Sequence, residues 1–355
     1  MRTLVGKEPL FVINAFALGP WATGVNVTMS CVPFSKLKSL GPEKEKIENT
    51  LKQFGENHNY VIMGYPPFLK YLVDTSEIEW DKFNIAFIFG GESMSEGMRD
   101  YLFRKGIKKV YSSLGASDLE LNISAENDFT ISLRRLLRSN QSLQSKILKH
   151  NGALPMIFQY NPTDFLIESS ETGELIVTIG RPDYIAPKIR YNIHDRGHTL
   201  SLEDLYSILK SLNISLDKLE KPQTDLPLLL HYGRADMTVS FFGANISPTD
   251  VNEVIYSLPE LSEIVNSYNL SVNEDKEGNK KLIISLEVQK GETNELIDLE
   301  KTQATFFENL SKINQDFREV RKMLPNSSLT VLCFEDFGSG SFKENDIRIK
   351  SKYIN

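Results

Sequence analysis

Cysteine and histidine are scarce in this sequence. Its 355 residues contain two cysteines, Cys31 and Cys333, and five histidines. The cysteines lie far apart in the chain, and no spacing of cysteine and histidine matches that of a zinc site. Isolated cysteines of this kind are typical of a reducing compartment. We therefore expect a cytoplasmic protein whose cysteines are reduced.

Long apolar runs and an excess of positive charge are also missing. No segment reaches the roughly 20 apolar residues of a membrane span, and the N-terminal residues, among them Arg2, Lys7 and Glu8, are too polar for a signal peptide. The formal net charge of −7 argues against nucleic-acid binding, which needs a dense positive surface. We expect neither a membrane nor a nucleic acid as a partner.

What is present is the composition of an ordinary soluble globular protein, 41% hydrophobic and 25% charged, at a length that predicts two domains. Short apolar runs alternate with Gly-, Pro- or Ser-containing loops and with helical stretches, which predicts an α/β sheet with mostly parallel strands. Ligands bind beyond the carboxyl ends of such strands. The loops at these ends follow the apolar runs 11–14, 60–63, 85–89 and 109–112.

The second part of the chain has a different pattern. Residues 154–193 consist of strand-like pieces separated by turn residues, which predicts a β-rich subdomain. Ser247 and Pro248 have the pattern of a helix N-cap and first turn. They precede two strand-like runs, a helical stretch at 302–323 and a further strand. The sequence therefore predicts a large α/β domain at 1–232 and a small α+β domain at 233–355.

Four sequence blocks in a fixed order carry the functional signal. They are residues 90–96 with Arg99, residues 114–118, residues 191–197, and residues 233–237 with 243–248. Together, the blocks make the chain resemble the adenylate-forming (ANL) superfamily and, within it, the phenylacetate–CoA ligase type. Each block alone is a weak signal; the order and spacing of all four are typical of that family.

The resemblance implies a reaction and its cofactors. A carboxylate would attack the α-phosphorus of ATP to give an acyl-adenylate, and the acyl group would then pass to CoA. ATP or AMP, Mg²⁺ and CoA are thus the expected cofactors, since Mg²⁺ and positive groups must neutralise the meeting anions. The expected partners are a small-molecule carboxylic acid, with aromatic acids as the first expectation, and CoA or another thiol acceptor. A homo-oligomer is left open.

The first two blocks supply part of the predicted nucleotide site. By resemblance, the adenine lies against a loop of the first block and Ser117 meets a phosphate, while Asp118 binds Mg²⁺, which favours carboxylate oxygen. Leu114 stands where the family has an aromatic residue. The alternatives are a plain strand-to-helix turn for the first block and an Asx-type turn for the second. The predicted nucleotide-binding residues in these blocks are Gly90, Gly91, Glu92, Leu114, Gly115 and Ser117.

The last two blocks supply the rest of the site. By resemblance, the Asp195 carboxylate binds the two ribose hydroxyls, and Arg234 reaches the ribose or the α-phosphate. Asp236 is the predicted hinge for rotation of the small domain. His194 stands where the family commonly has glycine. The alternatives are a surface turn closed by a local ion pair at Asp195 and a hairpin turn with a solvated Arg234.

The predicted catalytic residues are Arg234 and a lysine from the small domain. The Gly-rich loop 338–343 makes Lys343 the candidate, with Lys350 and Lys352 as competitors. The alternative is that this lysine is a solvated residue near the chain end.

One expected element is missing. The family binds the ATP triphosphate with a Ser/Thr/Gly-rich loop, and no such run occurs here. The resemblance begins near Leu10, which predicts a chain shortened at its N-terminus, either naturally or because the sequence begins inside a longer one. Two hypotheses follow: an acid–CoA ligase, or a catalytically impaired relative that binds a nucleotide or an aromatic acid without turnover.

Overall fold

The computed structural model of the chain describes residues 9–19, 21–117, 119–149, 154–181, 186–234, 238–242, 244–274, 280–293, 297–323, 329–343 and 353–354. They form two compact units. The first contains the described residues of Met1–Ser93, Leu102–Lys149 and Leu154–Ala235, and the second contains those of Met94–Tyr101 and Asp236–Asn355. The predicted boundary between 232 and 233 stays a prediction.

The first unit is built on an 11-stranded sheet whose strand order is β2-β1-β3-β4-β5-β6-β7-β11-β10-β9-β8. Its strands are β1 (Leu10–Asn14), β2 (Lys36–Ser39), β3 (Asn59–Gly64), β4 (Asn84–Phe89), β5 (Lys109–Ala116), β6 (Glu120–Ala125), β7 (Met156–Tyr160), β8 (Phe165–Ser169), β9 (Glu174–Ile179), β10 (Tyr191–Leu200) and β11 (Leu228–Arg234).

The first five strands of this sheet are parallel. The runs in β1, β3 and β4 are buried almost throughout, which is the pattern of strands covered on both faces. From β5 onward each neighbouring pair is antiparallel, and β9 alternates buried and half-buried residues. An α/β unit with a β-rich second part is thus confirmed, and its parallel pairing is confined to β1–β5.

In the first unit the described helices lie between strands along the chain, and the second unit contains further helices. They are α1 (Ala22–Cys31), α2 (Lys44–Phe54), α3 (Pro66–Thr75), α4 (Glu96–Arg104), α5 (Asp128–Ser139), α6 (Gln141–Ile147), α7 (Leu202–Ser211), α8 (Pro248–Ser257), α9 (Pro259–Ser262), α10 (Leu299–Ile313) and α11 (Gln315–Met323). Among the described residues, no helix is both long enough and apolar enough to cross a membrane.

The second unit contains small sheets packed against helices. Its strands are β12 (Val239–Phe241), β13 (Ala244–Ile246), β14 (Val265–Glu274), β15 (Lys280–Val288) and β16 (Thr330–Glu335). Strands β14, β15 and β16 form one sheet, and its buried Leu282, Ile284 and Leu286 share a core with Phe306 and Leu310 of α10. The predicted small α+β region is confirmed.

Two predictions of helix ends in the second unit had different outcomes. Ser247 caps α8 as predicted, since its hydroxyl accepts from the backbone N–H of Asp250 while the Asp250 carboxylate accepts from that of Ser247. The single helix predicted at 302–323 is wrong, because it is broken at the buried Asn314. The Asn314 amide donates to the Asn245 carbonyl and its oxygen accepts from the N–H of Phe317, so it caps α11 instead of continuing α10.

Candidate functional site

The loops after β3 and β4 meet at the carboxyl edge of the parallel strands. A Cβ at Gly90 would lie 3.0 Å from the carbonyl oxygen of Ser113, and a Cβ at Gly91 would overlap the ring of Tyr65. Gly91 also has a φ of +84°, a backbone conformation that favours glycine. Glycine at both positions is therefore explained by packing within the protein, because an added side chain would crowd Ser113 or Tyr65. Glu92 follows them and is half-buried.

Tyr65 links this loop to the loop after β1. Its ring is buried and packs edge-on against Phe16, with 5.1 Å between the ring centroids. Burial raises the pKa of Tyr65, the hydrogen bond with Thr23 opposes the rise, and the charge of Glu92 adds to it. Because its pKa is raised, the phenol stays neutral and can donate or accept at this edge.

The second block is a β-bulge at the end of β5. The pairing of β5 with β6 shifts register between Leu114 and Ala116, and a Cβ at Gly115 would lie within 2.6 Å of the carbonyl carbon of Leu121. Gly115 is thus required by the close approach of β6. Ser117 is exposed in the turn that follows, whereas Asp118 lies outside the described residues.

The third and fourth blocks, separated by about forty residues in the sequence, lie side by side on neighbouring strands. Strands β10 and β11 are antiparallel, and Asp195 is paired directly with Arg234. Arg234 is exposed, and Gly233 beside it has a φ of +93°. Asp236 and Gly243 lie outside the described residues, so the hinge stays a prediction.

The Asp195 side chain has a partner that the sequence analysis missed. Nε2 of His231, on β11, lies 3.0 Å from Oδ2 of Asp195, and the side chains are 12% and 16% exposed, respectively. Among the described residues, His231 is the only hydrogen-bond partner of this carboxylate, so Oδ1 has none. The local ion pair that the alternative interpretation gave to Asp195 is not formed with Arg196 among these residues. A hairpin alignment of the two blocks would have brought His231 close to Asp195, because it lies only a few residues before Arg234.

A glutamate on β9 fixes the backbone next to Asp195. His194 has a φ of +60°, and the Asn192 amide oxygen accepts from its N–H at 2.8 Å. The carboxylate of Glu174 accepts from the Asn192 amide at 3.0 Å and lies 3.6 Å from Nδ1 of His194. The hydrogen bond from Asn192 has the largest effect and lowers the pKa of Glu174, and His194 lowers this pKa further. Glu174 on β9 therefore stabilises the irregular backbone of β10 next to Asp195.

The predicted catalytic lysine lies in the second unit. Lys343 is exposed and follows a short 3₁₀ turn, Gly340–Phe342. The preceding loop is held by two carboxylates, since Glu335 accepts from the N–H of Ser341 at 2.7 Å and Glu287 accepts from the N–H of Gly338 at 2.9 Å. A cavity of about 620 Å³ lies against this loop. Lys350 and Lys352 lie outside the described residues.

Glu287 makes the second unit sensitive to pH. Burial raises its pKa from the ordinary 4.5, the N–H of Gly338 and the amide of Asn266 oppose the rise, and the charge of Glu335 adds to it. A carboxyl whose folded pKa is raised stabilises the fold below its unfolded pKa, and this stabilisation is lost as the pH rises through the folded pKa. We expect Glu287→Gln to stabilise the second unit at pH 7 and to lose that advantage below about pH 4.

Hydrogen exchange of the β15 amides at several pH values measures this effect. Glu319→Gln is the matched control, because Glu319 is half exposed on α11 and carries no burial penalty of this size. An advantage for Glu287→Gln that is the same at pH 4 and pH 7 would contradict the assignment.

The chain has no match among family models or curated proteins, but solved structures share its fold. A 2-hydroxyisobutyryl-CoA ligase in the postadenylation state in complex with 2-HIB-AMP is 13% identical, with a TM-score of 0.67, covering 99% of this chain and 66% of that one. An anthranilate CoA ligase in complex with anthranoyl-AMP is 8% identical, with a TM-score of 0.56, covering 99% and 60%.

A third structure is an amide bond synthetase from Marinactinospora thermotolerans. It is 12% identical, with a TM-score of 0.54, covering 95% of this chain and 59% of that one. The fold that the resemblance implied is thus confirmed. The chain spans 66% or less of the length of each of these structures.

Proposed function

We propose that this chain carries the nucleotide site of an adenylate-forming enzyme of the acid–CoA ligase type. In this proposal it binds the adenosine part of ATP or AMP, activates a small carboxylic acid as an acyl-adenylate and passes the acyl group to CoA or another thiol. The observation that carries the proposal is the pairing of Asp195 with Arg234 on neighbouring strands.

Asp195 has the chemistry that a ribose needs. A carboxylate accepts several hydrogen bonds, and two adjacent hydroxyls can donate to it together. The carboxylate is only 16% exposed, yet its Oδ1 has no partner among the described residues. Oδ1 does not belong to the fully buried unpartnered oxygens of the described residues, so it is accessible to the hydroxyls of a ligand. The guanidinium of Arg234, from the paired strand, would add positive charge toward the ribose or the α-phosphate.

The loop at Gly90 and Gly91 fits a flat ligand edge. A side chain would crowd the Ser113 carbonyl at Gly90 and overlap the Tyr65 ring at Gly91; with glycine at both positions, a base would approach the loop backbone from its other face. Glu92 would lie next to it. Leu114, in place of the family's aromatic residue, offers apolar contact without ring stacking, and Ser117 stays the predicted phosphate contact.

Magnesium and CoA enter the proposal through the resemblance. Asp118, the predicted Mg²⁺ ligand, is outside the described residues, and within the described part no cluster of three or more His, Cys, Asp or Glu side chains could hold a metal ion. Mg²⁺ would supply charge neutralisation at the phosphates. The exposed Lys343 would supply further positive charge, with Asp236 as the hinge that lets the small domain reorient.

The acid stays the least defined partner. The solved neighbours carry 2-HIB-AMP and anthranoyl-AMP, an aliphatic and an aromatic acyl group. In this chain the Tyr65 ring lies against Gly91 and packs on the Phe16 ring; an aromatic acid bound beside this loop would gain ring contacts. We therefore propose aromatic acids as the first substrates to test.

Acid-dependent exchange between ATP and pyrophosphate across a panel of aromatic and aliphatic acids tests the activity. We expect exchange with at least one aromatic acid and a loss of about 100-fold in Asp195→Ala, since two charge-assisted hydrogen bonds are removed. No exchange with any acid, while AMP still binds, would exclude adenylation by this chain. That outcome would instead favour a relative that binds a nucleotide without turnover.

A further inference from the structure

His231 is joined to the predicted ribose carboxylate and has no role in the site described so far. Its Nε2 lies 3.0 Å from Oδ2 of Asp195, and among the described residues neither side chain has another hydrogen-bond partner. Because an ionised carboxylate has no proton to give, Nε2 must carry the hydrogen and donate it. This hydrogen bond requires a hydrogen on Nε2 of the ring.

The histidine ring is the more firmly held of the two groups. His231 lies on β11 beside a register shift of the β10–β11 pairing, and it is paired on both sides, with Met156 on β7 and with Gly197 on β10. Its ring meets Phe158 edge-on at a centroid distance of 6.2 Å. Asp195, by contrast, lies in the irregular part of β10, where the pairing with β9 is interrupted between Asn192 and Arg196. The His231 ring can therefore restrict the rotation of the Asp195 side chain, which the irregular strand β10 restricts less.

We propose that His231 is a positioning residue for ribose recognition, an inference that rests on the proposed nucleotide site. By holding Oδ2, it orients the Asp195 carboxylate so that Oδ1 and the remaining lone pair of Oδ2 face the ligand. Fixing a side chain before binding avoids the loss of its rotational entropy when the ligand binds. His231 itself does not touch the ligand, and its effect is confined to the ribose hydroxyls.

Binding of AMP and of 2′,3′-dideoxy-AMP to the full chain tests this proposal by calorimetry. We expect His231→Leu to weaken AMP binding about 5- to 10-fold, the value of one hydrogen bond together with the lost orientation. It leaves 2′,3′-dideoxy-AMP unchanged, because that ligand offers no hydroxyl to Asp195. His231→Gln retains a donor near the position of Nε2, so we expect AMP affinity within about 3-fold of the parent.

The control is His58→Leu, which removes a histidine from an aromatic cluster with Phe11 and Tyr60. His58 directly precedes β3 and so lies at the amino end of the parallel strands, away from the candidate site. We expect both ligands to bind this variant as they bind the parent. If His231→Leu does not fold, His231→Asn, whose shorter side chain withdraws the donor, gives the same comparison.

The outcomes separate this proposal from the one on which it rests. Equal weakening of both ligands by His231→Leu would make His231 a structural residue and overturn the inference. The inference is also overturned if the preference for AMP over 2′,3′-dideoxy-AMP is lost in Asp195→Ala but is unchanged from the parent in His231→Leu. In that case the proposed nucleotide site still stands. If Asp195→Ala leaves the preference for AMP over the dideoxy ligand unchanged, the nucleotide site itself is wrong.

Discussion

Replacing Asp195 with alanine is expected to weaken AMP binding by about 100-fold, or about 3 kcal/mol. The side chain is 16% exposed and accepts one hydrogen bond from His231, while its Oδ1 has no partner among the described residues. Both ribose hydroxyls would lose a charged acceptor, and charge-assisted hydrogen bonds are the strong ones. Calorimetric titration of parent and variant with AMP measures the change.

Removing Asp195 also leaves His231 without its acceptor, so stability must be followed beside affinity. Asp204→Ala is the matched control: Asp204 lies at the start of α7, where it accepts from the hydroxyl of Ser201. We expect this variant to lose stability at the helix cap and to keep AMP affinity. AMP affinity within 3-fold of the parent in Asp195→Ala, with the fold intact, would remove the basis of the proposed function.

Replacing Gly115 with alanine is expected to lower the free energy of unfolding of the first unit by about 3 kcal/mol. A Cβ there would lie within 2.6 Å of both the Cα and the carbonyl carbon of Leu121. Backbone atoms in a sheet cannot move aside as the end of a side chain can, so the β5–β6 pairing must open. Denaturant unfolding followed by the fluorescence of Trp80, which is buried in this unit, measures the loss.

Gly64→Ala is the control for the Gly115 variant. Gly64 ends β3 without a positive φ, and an added Cβ would meet only side-chain carbons of Leu69 and Ala15 at 3.4 Å or more, so we expect a change of about 1 kcal/mol or less. Equal losses in the two variants would show that overlap with Leu121 is not the cause at Gly115. Such a result would return Gly115 to a purely ligand-based role.

The sequence predicted which residues belong to the candidate site, but not the contacts that each of them makes. The glycines at 90, 91 and 115 were predicted to be nucleotide-binding residues, and the structure supplies steric reasons for them within the protein itself. Their roles in nucleotide binding stay predictions. The same holds for Asp195, Arg234 and Lys343, which the structure positions without testing their roles.

The sequence by itself determined the local elements of this protein. Apolar runs such as 85–89, ended by glycine, predicted strands of the parallel sheet, and Ser247 with Pro248 predicted the start of α8. These signals are local because a strand period, a cap or a turn depends on a few neighbouring residues. The break at Asn314 was missed, because its amide is held by Asn245 and Asp250, partners far away in sequence.

Only the tertiary structure decided which side chains meet. The pairing of β10 with β11 places Asp195 opposite Arg234 and brings His231 within hydrogen-bond distance of the carboxylate. The register between two strands depends on burial, bulges and positive-φ positions across the whole sheet. The residues of each block can thus be identified from the sequence, but their orientation toward a ribose depends on the long-range pairing of strands.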